Sequence, residues 1–238
     1  MSISSKAQAT VIKRKVTPVI VYGSDQILPK EYAENFKKVI IYVQDWMKFW
    51  LGGKTFAFHD IVKLQVRLSN NELKSISQRS FLVEPPEYLL NRNPHRWDLD
   101  DAVRPELQKN NLSKSGEIYI VFVFAGKYGI DLKFLDPPQA YGEMYGWHII
   151  IPPHKLDPNL ILKFSPKNIP PIDPVVADLV YATAHQLGIR LGMSNTCTLY
   201  EYFMYNCGQS FMEYGLPPFM VMLPQEVDYL RSKREWIY

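Results

Sequence analysis

The sequence predicts a mixed α/β domain of the α+β kind, in which a twisted mixed sheet carries long helices. Three observations predict it. Apolar side chains recur at helical spacing from Tyr32 to Trp50 and from Val176 to Leu191, runs too long to be strands. Around them lie short runs rich in β-branched and aromatic residues, some alternating with polar positions and some apolar throughout. The 238 residues are 47% hydrophobic and 21% charged, which is enough apolar chain to bury a substantial core.

Residues 1–16 are polar and basic and are expected to form a poorly ordered arm, leaving 17–238 as a single domain. Within the arm, Lys13-Arg14-Lys15 reads as a solvated tail. Pro18-Val-Ile-Val-Tyr22 predicts a strand. Pro29 then suits a first helical position, and Tyr32, Phe36, Val39, Ile40, Val43, Met47 and Trp50 mark one face of a long helix that Gly52-Gly53 stops. Phe56 to Leu68 predicts a second strand, with Val62, Leu64, Val66 and Leu68 alternating against Lys63, Gln65 and Arg67. Residues 70–115 are mixed and polar, with room for a short helix near Pro105-Glu-Leu-Gln108 and for another before it. Ile118 to Phe124 is apolar on both faces, as a central strand requires. Gly146 to Ile151 predicts a further strand, closed by Pro152-Pro153. After a Pro-rich connection, Asp173 as N-cap and Pro174 open a second long helix. Its face carries Val176, Leu179, Val180, Ala184, Leu187 and Leu191, and it ends near Gly192. A last helix starts around Pro224, with Gln225 and Glu226 in its first turn, and runs to Arg234 or beyond.

A net charge of +3 is too small to argue for nucleic acid or an anionic membrane surface as a partner. No stretch approaches the roughly 18–20 consecutive apolar residues that span a bilayer. Met1 to Lys15 holds no apolar run before a cleavage site, so no signal peptide is visible. Cys197 and Cys207 have nine residues between them. They either pair, closing a loop worth about 2–3 kcal/mol on a chain-entropy basis, or stay as two buried thiols, which leaves the compartment open.

The second long helix closes on Ala184-His185-Gln186-Leu187-Gly188-Ile189-Arg190-Leu191-Gly192-Met193-Ser194-Asn195, and downstream stands Ser210-Phe211-Met212-Glu213-Tyr214-Gly215. Together these segments resemble the metzincin-type zinc metallopeptidases. That family carries H-E-x-x-H-x-x-G-x-x-H on a helix and, below the metal, a Met-turn often written S-x-M-x-Y. The resemblance extends over most of 17–236, with specific motif residues in 176–215, and implies a zincin-like fold with Met212 and Tyr214 in the Met-turn. On this alignment His185 holds the first ligand position and Gly192 the turn glycine. Gln186 replaces the glutamate base, Ile189 the second histidine and Asn195 the third.

Those replacements remove the chemistry. Catalytic zinc needs three protein ligands and a water whose pKa it lowers to about 7. Ile189 has no lone pair, Asn195 offers only a neutral carbonyl, and Gln186 cannot accept a proton. The resemblance therefore implies an inactive peptidase homologue with no metal or other cofactor. His185 is then a buried or half-buried hydrogen-bonded histidine, and Met212 a core methionine.

Such a fold has a cleft with an exposed edge strand that receives an extended chain by strand addition, so a peptide or protein is the expected ligand. Trp147 and His148 are expected to border that cleft. Tyr200, Tyr202 and Tyr205 line either a binding surface or the core. The alternatives are a structural or assembly protein that kept the fold for stability, and a zinc-dependent peptidase with an altered site built from residues such as His148, His154 and His185. Members of the family are often secreted, which the cysteine pair permits.

Overall fold

Residues 12–81, 98–114, 116–124, 148–150, 180, 183–185, 187–188, 190–193 and 221–238 are described by the computed structural model. Strand β1 (Lys15–Tyr22) leads into helix α1 (Lys30–Trp50), then β2 (Ala57–Phe58) and β3 (Val62–Gln65). Helices α2 (Asn70–Phe81) and α3 (Asp98–Lys109) follow, then β4 (Tyr119–Phe124) and β5 (His148–Ile150). Helix α4 is helical at every described position between 180 and 190, and α5 (Pro224–Ser232) comes last.

Alternation along two strands decides how the sheet is covered. In β1 and β4 the even-numbered Val16, Ile20, Ile120, Phe122 and Phe124, with Ile118 just before β4, enter one core, with the apolar faces of α1, α4 and α5. The odd-numbered Val19, Val21, Tyr119, Val121 and Val123 enter a second core, beneath α2 and α3. Helices on both faces are what a parallel sheet needs, because its strands leave no face for water. The sheet runs β2-β1-β4-β5, with β3 also on β1, and each described pairing is parallel. Where a mixed sheet is expected, the pairings among the described residues are parallel, since helices return the chain between β1 and β3 and again between β3 and β4.

β1 lies inside the sheet although Pro18 interrupts it. Even-numbered backbone groups of β1 face the β2–β3 side, as the bonds from His59 N to Val16 O (2.8 Å) and from Val66 N to Tyr22 O (2.9 Å) show. Pro18 has no N–H to offer on that side. There the partner breaks: Lys15 and Val16 pair with β2, and pairing resumes with β3 at Val19. The strand expected over Phe56 to Leu68 is therefore two strands. The alternation within it holds: Leu64 and Val66 are buried while Lys63, Gln65 and Arg67 are exposed.

Helix α1 buries Tyr32, Phe36, Val39, Ile40, Val43 and Met47 as its spacing predicts, with Trp50 only partly covered. It ends where expected. Gly52 and Gly53 take φ of 67° and 93°, and Gly53 N–H bonds back to Lys48 O at 2.8 Å, the six-to-one bond of a Schellman cap. Burial also pushes the Tyr42 phenol from its ordinary 10.0 up to about 12. The folded state then holds the proton more tightly than the unfolded chain. This stabilisation is complete below pH 10.0 and is lost as pH rises through about 12. Denaturant unfolding at stepped alkaline pH should show stability falling over that window, and Tyr42→Phe should make the fall shallower, with the rest coming from groups such as Tyr32, which burial also raises. A Tyr42→Phe profile as steep as wild type would refute the assignment.

The polar region 70–115 holds more helix than its composition suggests. Ser69 and Glu72 form a capping box at the start of α2. Ser69 N–H donates to Glu72 Oε2 at 2.7 Å and Glu72 N–H to Ser69 Oγ at 3.3 Å. The backbone bond from Ser69, then the one from its hydroxyl, hold the Glu72 carboxyl below its usual pKa. Asp25 adds a second cap by accepting from Asn70 N–H at 2.7 Å. In α3, Leu99, Val103 and Leu107 line the buried face, and Pro105 is tolerated because it lies on the exposed one. There water can serve the carbonyl one turn back.

Residues 12–16, assigned to the arm from sequence, are tied down instead. Arg14 donates to the Gly116 carbonyl and pairs with Glu235 at 3.5 Å, while its N–H bonds to Glu235 O at 2.7 Å. Lys13 stands 4.5 Å from the centre of the Tyr238 ring. The strand accordingly starts at Lys15, three residues before the expected Pro18. At the other end α5 stops at Ser232, short of Arg234. Among the described residues no helix is long and apolar enough to cross a membrane.

Candidate functional site

Helix α4 is placed by its apolar stripe. Val180, Thr183, Ala184, Leu187, Gly188 and Leu191 are buried, spaced three and four apart, and bring the helix against α1 and the sheet. His185 follows Ala184 and turns off the centre of the stripe, so it is half-buried.

The end of α4 is a built turn. Leu191 N–H bonds to Leu187 O at 2.9 Å, the last regular helical bond. Gly192 then takes φ of 91°, and Met193 N–H returns to Gly188 O at 3.0 Å. This is again the Schellman arrangement, with buried Met193 closing it from below. Glycine suits this position because a side chain at positive φ would be strained there.

Positive groups gather at this helix end, where the unpaired carbonyls favour them. Arg190 is half-buried, and burial, then the charge of Arg104, lower its pKa without threatening its charge. Lys233, just past the end of α5, lies 4.4 Å from the centre of the Tyr229 ring. Tyr229 Oη donates to Gly192 O at 2.7 Å and reaches Leu191 O at 3.4 Å. Sequence reasoning passes over Tyr229, since its partner is 37 residues away and no local pattern announces it.

Of the residues expected to matter, His185 and Gly192 fall within the described residues with their surroundings. His148 does so by its backbone, on β5 in register with Val121. Gln186, Ile189, Asn195, Met212, Tyr214, Trp147, Tyr200, Tyr202 and Tyr205 lie outside the described residues, as do His154, Cys197 and Cys207. Among the described residues no three His, Cys, Asp or Glu side chains gather closely enough to hold a metal ion.

No family model and no curated protein matches this chain. Among solved structures, wild-type OgpA from Akkermansia muciniphila superposes with a TM-score of 0.48 at 11% sequence identity. The match covers 94% of this chain and 62% of OgpA, so the chain spans less than two thirds of that protein's length.

Proposed function

We propose that the chain is a catalytically inactive relative of the metzincin-type peptidases that binds an extended peptide or protein segment without cutting it. The observation that carries the reading is the end of α4. A helix bearing His185 is buried along one face and closes on a left-handed glycine at the position where the family's motif requires one. The strand–helix–strand order with which the chain opens supports the same reading. Gln186, Ile189 and Asn195 supply neither the base nor the second and third nitrogen ligands of a catalytic zinc. What such a scaffold keeps is its groove, where strand addition needs only backbone groups and side-chain pockets.

The test is a random peptide library displayed to the full chain, followed by incubation of each selected peptide with the protein. Selection of extended sequences that are recovered intact is the expected result. A library that selects nothing would overturn binding. Zinc near one per chain with cleavage of the selected peptides would overturn inactivity.

A further inference from the structure

Helix α5 touches the C-terminal ends of two other helices through side chains two residues apart. Tyr229 Oη donates to Gly192 O at 2.7 Å at the end of α4, and Arg231 Nε donates to Leu51 O at 3.3 Å at the end of α1. Each receiving turn ends in a left-handed glycine, and at each glycine an added Cβ would collide with the α5 side chain. The distances would be 2.7 Å to Tyr229 Oη at Gly192 and 2.8 Å to the Arg231 guanidinium at Gly52. The two contacts thus share one geometry, but only α4 carries motif residues.

We infer that Tyr229 is a positioning residue for the site on α4, its hydroxyl fixing the orientation of the turn at Gly192 and Met193. The inference deepens the peptide-binding reading above and rests on it for its functional meaning. A phenol has few torsions, and here its ring is held by Lys233, so the donor sits still. Its bond goes to the carbonyl of the turn glycine itself, the residue with the widest backbone freedom in the motif. Without that donor, the backbone bonds from Leu191 N–H to Leu187 O and from Met193 N–H to Gly188 O would be left to hold the turn.

Amide hydrogen exchange on the full chain tests this with no ligand present. Tyr229→Phe keeps the ring and removes the donor. It should speed exchange of the Met193 amide about fivefold and leave the Gly53 amide, bonded to Lys48 O, as it was. Arg231→Met should do the reverse. Unchanged exchange at Met193 in Tyr229→Phe would overturn the inference. So would a rise at both amides in either variant, which is merely a loosened α5. A peptide selected on the wild type should bind Tyr229→Phe several-fold more weakly and Arg231→Met with undiminished affinity; equal affinities would again overturn it. If the library selects nothing on the wild type, the binding reading fails by itself, and the Met193 amide still decides the role of Tyr229.

Discussion

Phe36→Ala is expected to destabilise the protein by about 3–5 kcal/mol. The Phe36 side chain is wholly buried in the core between α1 and the sheet. Its ring lies 4.2 Å from that of Phe122 on β4 and 4.8 Å from that of Tyr32, centre to centre. Removing it takes away the transfer free energy of the ring, both aromatic contacts and the contacts around the cavity left behind. Phe122 belongs to a strand paired on both sides and Tyr32 also packs on Phe124, so neither can collapse far into the hole. That rigidity places the loss toward the upper part of the range. Denaturant unfolding with an unchanged m value measures it. A loss below about 1 kcal/mol would mean that the α1–sheet interface is not packed as described.

Gly23→Ala should cost about 2–3 kcal/mol, for a reason unrelated to backbone angle. A Cβ on Gly23 would stand 2.6 Å from Asn70 N and 2.9 Å from Ser69 C, both backbone atoms at the start of α2. Backbone cannot swing aside as a side-chain tip can. The first turn of α2 would have to lift from the end of β1, straining the Asn70 N–H to Asp25 bond and the Ser24 N–H to Leu68 O bond (2.8 Å). Gly53→Ala provides the contrast. Nothing lies within 4 Å of its added Cβ, so only its φ of 93° opposes the change, at roughly 1 kcal/mol. Thermal unfolding of the two variants side by side separates collision from backbone strain. Equal losses would show that the close approach at Gly23 is not real.

Much of the fold is legible because it rests on periodicity. The seven apolar positions of α1 and the wholly buried β4 are written in residues close together along the chain. What escaped depends on partners far away. Pro18 splits its neighbour into β2 and β3, an effect visible only once those strands lie beside β1. Arg14 looks like part of a basic tail until Glu235 and Gly116 arrive from distant parts of the chain. The Ser69–Glu72 box was readable as S-x-x-E, but the polar residues around it hid the helix it opens. At the site, the half-burial of His185 and the turn at Gly192 follow from helix phase and glycine chemistry. Tyr229 follows from neither.

The position of β1 within the sheet has a consequence for how the protein is made. β1 leaves the ribosome before the strands it pairs with, and its partner β4 begins roughly a hundred residues later; at about 5–20 residues per second that is a delay of about 5–20 s. The β1–α1–β3 unit can close early and cover one side of β1. Throughout the delay the other side, Thr17 to Tyr22, presents unpaired backbone beside Val19, Ile20 and Val21. The nascent chain is therefore most prone to strand-to-strand association before Tyr119–Phe124 emerges, and a chaperone that shields extended apolar segments would matter most in that interval.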